Sequence, residues 1–219
     1  MIEFQHVSFS YPQGEVLHDV SFVWKDREFV GILGPNGGGK STFLKLALGL
    51  IKPSGGKIIR SPGQVSYIAQ TTSISDSSFP ATVEEVVGLG LVSNRKFFLS
   101  RSDKKKVEET LEKLSLYPLR KRLVNELSGG QLQRVKIAKA IISDPQMIVL
   151  DEPDAGMDDV SHQTLVSIIS RLHEKGTAIL FVSHHPEDLR EADSIYFIEN
   201  GSICTYEKEL GRGHHHVSL

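Results

Sequence analysis

"GPNGGGKST", residues 34–42, stands between the apolar run Phe29 to Leu33 and "STFLKLALGL", residues 41–50, whose apolar residues recur at helical spacing. The order is strand, glycine loop, helix. Gly34 to Ser41 fits the pattern G-x-x-x-x-G-K-[ST], in which glycines let backbone N–H groups converge on β- and γ-phosphate oxygens and the helix start adds its positive end. Gly34, Pro35, Asn36, Gly37, Gly38 and Gly39 are then the cradle. Lys40 supplies a mobile point charge, Ser41 sets its hydroxyl on Mg²⁺, and Thr42 is placed for a further phosphate contact. The bland alternative is a glycine-rich turn with no ligand; the strand before, the helix after and the Lys-Ser pair in register speak against it.

A phosphate cradle of this kind needs an acidic element on a neighbouring strand. "MIVLDEP", residues 147–153, provides four apolar residues ending in Asp151, at the carboxyl end of a buried strand, where open α/β sheets bind their ligands. Asp151 is expected to hold Mg²⁺ through water. Glu152 is expected to accept a hydrogen bond from the attacking water and favour in-line attack on the γ-phosphate. A surface charge at a strand end is the alternative for Glu152.

Outward from these motifs, Ile2 to Phe9, Val16 to Val23, Gly56 to Arg60 and Gln64 to Ala69 read as further strands. A Ser/Thr-rich loop follows, then a mostly helical region from about Val83 to Leu127 that reads as an inserted lobe. A helix from about Gly130 to Ser143, the strand "MIVLD", a helix from about Ser161 to Lys175 and the strand "TAILFVS" complete an α/β alternation, which implies a mainly parallel sheet. No internal repeat is visible.

Composition narrows the function. The chain has 219 residues and 39% hydrophobic content, enough for one large domain, which excludes a disordered or fibrous protein. Lys plus Arg number 25 against 27 Asp plus Glu, so a net charge of −2 gives no footprint for nucleic acid. One cysteine, Cys204, excludes an intrachain disulfide framework and fits a reducing compartment. No run of about 18 apolar residues occurs, so the chain is not expected to span a membrane.

"ELSGGQLQRV", residues 126–135, contains no acid, base or nucleophile suited to catalysis at its centre, yet it is polar, glycine-bearing and opens a helix. With the two phosphate motifs in this order, the chain resembles the ATP-binding cassette family, the nucleotide-binding subunits of ABC transporters, along nearly its whole length. "LSGGQ", residues 127–131, looks like that family's signature. The resemblance implies a P-loop NTPase core with a mainly parallel sheet, a small antiparallel β subdomain and an inserted helical subdomain, about 71–138, within one domain spanning 1–219. It also implies that ATP sits between two cassettes arranged head to tail, so that Ser128, Gly129, Gly130 and Gln131 of one copy complete the phosphate site of the other. The helix start gives that segment an anion-binding surface of its own.

The remaining positions follow from the same resemblance. Tyr11, in "FSYPQGEVL", falls where an aromatic stacks on adenine, with Val16 flanking it; a solvent-side strand tyrosine is the alternative. Gln70, ending "VSYIAQ", matches the glutamine that senses Mg²⁺ and the attacking water and joins the helical lobe to the core. "AGMD", residues 155–158, matches the segment crossing the dimer interface, with Asp158 at its acidic end; Met157 stands where leucine is more usual, and Asp154 where Thr, Ser or Asn is commoner. "VSHH", residues 182–185, aligns His184 with the histidine that contacts the γ-phosphate and leaves His185 structural.

A single cassette without heptads or a basic arm fits importers, whose membrane subunits are separate chains. "SSFPATVEEVVGLG", residues 77–90, resembles the segment that opens the helical lobe in cassettes serving zinc, manganese and iron importers; a Pro-started helix with Val83, Val86 and Val87 facing inward is the alternative. The expectation is therefore an ATPase using ATP and Mg²⁺, dimeric with ATP, at the cytoplasmic face of the cell membrane. Its partners would be integral membrane permease subunits and an extracytoplasmic metal-binding protein, with no nucleic acid. A cytosolic cassette ATPase acting on protein partners, as in iron–sulfur assembly, is the other reading. "GHHH", residues 213–216, is read as a polar tail or tag remnant, since three adjacent histidines do not make a closed four-ligand site.

Overall fold

Three pentapeptides are buried at every position: Phe29–Leu33 (β3), Met147–Asp151 (β6) and Ala178–Val182 (β7). Strands covered on both faces read as unbroken apolar runs, and these three form the centre of a six-stranded sheet ordered β5-β6-β7-β3-β8-β9. Here β5 is Val65–Ile68, β8 Ser194–Glu199 and β9 Ser202–Thr205. All pairings are parallel except the last hairpin. A second, antiparallel sheet, β2-β1-β4, joins Ile2–Tyr11 (β1), Gly14–Trp24 (β2) and Gly55–Arg60 (β4). The computed structural model describes residues 1–69, 80–92, 98–153, 157 and 159–206.

Alternate residues of the central strands feed two cores. Val30, Ile32, Val149, Leu180 and Val182 pack with the antiparallel sheet and with Phe43, Leu44 and Leu46 of α1 (Lys40–Ala47). Phe4 of β1 stacks on Phe43 with ring centroids 4.8 Å apart, which ties the glycine-loop helix to the small sheet. On the other face Phe29, Leu33, Ile148, Leu150 and Phe181 pack against α2 (Val83–Gly88), α3 (Arg101–Lys113), α4 (Gly129–Ile141) and α5 (Asp159–Glu174). The layers are therefore antiparallel sheet with α1, parallel sheet, then helices.

Capping explains where the second helical set begins. Thr82, Ser100 and Ser128 each precede a helix and accept from the backbone N–H three residues on, while Glu85, Asp103 and Gln131 reach back to the cap N–H. Val83, Val86 and Val87 of α2 are buried, so the inward-facing packing of that segment is what the structure adopts. The region from Val83 to Leu127 is broken more often than helical spacing suggested: α2 is six residues long, and single turns of 3₁₀ helix stand at Tyr117–Leu119 and Val124–Glu126. No helix among the described residues is long and apolar enough to cross a membrane.

The β8–β9 hairpin was not anticipated. Its signal is Asn200-Gly201, both at positive φ (49° and 76°), the two-residue turn whose twist suits a hairpin. The hairpin also reaches across the molecule: His18 N–H donates to Gly201 O (2.9 Å) and Gly201 N–H to Gly38 O (3.3 Å).

Candidate functional site: three strand ends around a phosphate cradle

One row of the parallel sheet contains Ile32, Val182 and Asp151, paired Ile32 with Val182 and Val182 with Asp151. The residues just past this row are Gly34, Ser183 with His184, and Glu152. Register alone brings the three motifs to one edge, at the carboxyl ends of adjacent strands.

The cradle is shaped by what it cannot accommodate. Gly34 has φ +147°, and a Cβ there would meet Ile198 O at 2.0 Å, so only glycine passes between β3 and β8. Gly38 is similarly shut in, with a Cβ 2.8 Å from Ile198 O, whereas a Cβ on Gly37 would meet nothing within 4 Å. The loop is backed firmly on the sheet side and open at its tip. Gly39, in the left-handed region, caps α1, and Phe43 N–H donates to its carbonyl (2.9 Å). Pro35, Asn36 and Ser41 are exposed and Thr42 is buried. This is a cradle a phosphate chain fits.

Lys40 is buried, and its ammonium donates to Gly34 O (2.8 Å) and Pro35 O (3.1 Å) while lying 3.5 Å from Glu152 Oε1. Glu152 Oε1 is also 2.7 Å from His184 Nε2, whose side chain is 41% exposed. Lysine from the head of α1, and glutamate and histidine from just past β6 and β7, thus form a chain of contacts. Glu152 is held at φ 45°, an uncommon conformation for a non-glycine residue, with its N–H donating to Val182 O (3.1 Å). That turn aims its carboxylate towards Lys40 and His184.

Asp151 is buried, and burial pushes its carboxyl group above the usual range; the Glu152 charge adds to this, while the Tyr67 hydrogen bond and the charges of Lys40 and Lys45 oppose it. Tyr67, one strand away, donates its hydroxyl to Asp151 Oδ2 at 3.2 Å. Burial, then the neighbouring Asp151 charge, raises the Tyr67 phenol well above its ordinary value, so it remains a donor. A buried carboxylate and an exposed serine hydroxyl are oxygen donors of the kind a hard divalent cation such as Mg²⁺ takes. Among the described residues no group of three or more His, Cys, Asp or Glu could hold a metal by itself.

Ser128, Gly129, Gly130 and Gln131 lie at the head of α4, with Ser128 and Gly129 exposed. Ser128 and Gln131 satisfy each other's backbone groups: Gln131 N–H donates to Ser128 Oγ (3.4 Å) and Ser128 N–H to Gln131 Oε1 (3.1 Å). The signature is therefore a formed cap rather than a loose loop. Tyr11 ends β1 half-buried, edge-on to Phe9 with centroids 4.8 Å apart. Val16 is half-buried, and its carbonyl backs the glycine loop, 3.3 Å from where a Gly39 Cβ would stand. Gln70 and Asp158 lie outside the described residues.

The ABC transporter family model matches residues 17–155, well over half the chain. The chain belongs to the ABC transporter family. The cassette is 36% identical over 218 residues to the manganese transport system ATP-binding protein MntB of Halalkalibacterium halodurans, covering 96% of this chain and 84% of that protein. It is 34% identical over 196 residues to the zinc uptake system ATP-binding protein ZurA of Listeria innocua, covering 84% and 76%. Among solved structures it resembles a dimeric post-hydrolysis ATP-binding cassette holding ADP and phosphate, with TM-score 0.82 and 25% identity over 98% of this chain and 100% of that one. The fold, the ATP-binding cassette and the α/β class with its small antiparallel sheet are those expected from the sequence.

Tyr67 was missed by sequence reasoning, although a phenol inside the short strand "VSYI" is a visible polar intrusion. Ser183, Asp188 and His162 were missed as well, and they surround the His184 turn.

Proposed function

We propose that this cassette is the ATP-hydrolysing subunit of an importer for a divalent transition metal, zinc or manganese. In this reading it works as a head-to-tail pair at the cytoplasmic face of the cell membrane, beneath two integral membrane subunits served by an extracytoplasmic metal-binding protein. The observation that carries the ATPase half is the contact chain Lys40–Glu152–His184 set over a glycine cradle. Support for the metal half comes from the relatives named for manganese and zinc transport, MntB and ZurA.

The roles follow from position. Lys40 and the amides of residues 34–42 hold the phosphates, and Tyr11 with Val16 flanks the base. Glu152 accepts a proton from the attacking water as it forms its bond to phosphorus, and His184 fixes the Glu152 carboxylate and contacts the γ-phosphate. Ser41, Asp151 and Gln70 would hold Mg²⁺, which supplies charge neutralisation at the phosphates. Ser128 to Gln131 of the second copy close the site, with Asp158 at the interface. The buried valines of α2 are committed to this chain's own core, so membrane subunits meet that segment through exposed Pro80, Glu85 and Leu89.

Deleting the gene and measuring cellular zinc, manganese and iron under limitation tests the reading. Zinc or manganese should fall, wild type should restore it, and Glu152→Gln, which binds ATP but slows hydrolysis by about 10²-fold or more, should not. Unchanged metal content with a defect in uptake of an organic nutrient would reject the metal assignment.

A further inference from the structure

The turn that presents His184 is held from behind by a polar group to which the reaction scheme gives no role. Ser183, the residue after β7, is completely buried; its hydroxyl donates to Asp188 Oδ2 (2.8 Å) and accepts from His185 N–H (2.9 Å). Asp188 N–H in turn donates to His185 O (3.1 Å), closing the turn on itself. His184 thus sits between two anchored neighbours, with its ring against Glu152.

Asp188 is only 5% exposed, and a carboxylate taken out of water requires partners on both oxygens. The second partner belongs to another element. Asp188 Oδ1 lies 3.0 Å from Nε2 of His162, in the first turn of α5, and the His162 ring is 5.9 Å from that of His185. One carboxylate therefore accepts a hydrogen bond from the histidine turn on one oxygen and faces the imidazole at the head of α5 with the other.

We propose that Asp188 is a positioning residue for ATP hydrolysis, clamping the His184 turn to α5 so that His184 reaches Glu152 only while α5 is seated. The inference rests on the roles given above to Glu152 and His184. It acts through His184, so its loss should be invisible once His184 is gone, unlike that of a group that only stabilises the turn.

Steady-state ATP hydrolysis by the full-length chain, with thermal unfolding of each variant, tests this. Asp188→Ala should lower kcat about tenfold with KM for ATP within about twofold, and should add nothing further in a His184→Ala background. His162→Gln, which keeps a polar amide facing Asp188 Oδ1, should keep most of the rate that His162→Ala loses. If Asp188→Ala does not fold, Asp188→Asn, which retains an acceptor for Ser183 and loses the charge facing His162, is read in the same cycle. Effects of Asp188 and His184 that multiply, a kcat per folded molecule that does not change, or a His162→Gln chain no better than His162→Ala would each overturn the inference while leaving the ATPase reading intact. A wild-type chain without ATPase activity, or a His184→Ala chain at full rate, would remove the parent reading and this one with it.

Discussion

Asp151 illustrates a side chain placed against its own stability. Its buried carboxyl is pushed above the usual range, chiefly by burial, and Tyr67 offers only partial relief. A carboxylate whose folded pKa is raised binds its proton more readily folded than unfolded. Its contribution to stability is thus fully present below the ordinary carboxylate value and is lost as pH rises through the raised one. Asp151→Asn should therefore raise the melting temperature at neutral pH without nucleotide, by a few degrees for roughly 1 kcal/mol, and lower ATP hydrolysis by about 10²-fold or more. The thermal advantage should shrink as pH falls into the carboxylate range, because the wild-type residue is then neutral too. Calorimetry at neutral and acidic pH reads this directly, and an Asn variant less stable than wild type throughout would contradict it.

At the scale of elements, the β8–β9 hairpin is the buttress of the phosphate loop. Ile198 O closes the space beside Gly34 and Gly38, and the hairpin tip is bonded to β2 and to Gly38. Gly201→Ala would place a Cβ 2.5 Å from His18 Cδ2 and from Val16 O at a backbone φ of 76°. A cost of roughly 2 kcal/mol is expected, or a melting point lower by about 4–8 °C, with ATP binding weakened several-fold although residue 201 touches no nucleotide. Equilibrium binding of a fluorescent ATP analogue checks the second half. This element also marks where the sequence was legible and where it was not. Gly34 to Thr42, Asp151 with Glu152, and Ser128 to Gln131 could be read because each motif is contiguous and its register follows from a strand or a cap. Tyr67 and Asp188 make their contacts across elements separated in sequence, and only the strand order β5-β6-β7 and the packing of α5 bring those contacts about. The hairpin itself carried its Asn200-Gly201 signal, which the shortness of β9 obscured.

For the whole molecule, the decisive property is that the signature and the cradle belong to different copies in the proposed dimer. Mixing Lys40→Ala with Ser128→Arg chains should place both lesions in one composite site and leave the other intact. Activity should then appear in the mixture where each mutant alone has less than about a tenth of the wild-type rate, provided one intact site suffices. Titrating one mutant into the other while following phosphate release distinguishes this from two independent monomers, which would give only the average. The signature's formed cap favours such sharing, since Ser128 and Gln131 satisfy each other within one chain and no refolding is needed when a second copy docks.

Gly130 sits where a Cβ would be 2.8 Å from Ser161 Oγ, so the head of α4 rides directly on the first turn of α5. One residue further along α5, His162 faces Asp188 and hence the turn of His184. In the head-to-tail pair, the segment that closes the neighbour's ATP and the histidine that serves the chain's own ATP would thus lean on the same helical turn. Any cooperativity between the two nucleotides of such a pair would then need no long route through the protein: each subunit would carry a fulcrum, two residues wide, between its signature and its own histidine turn.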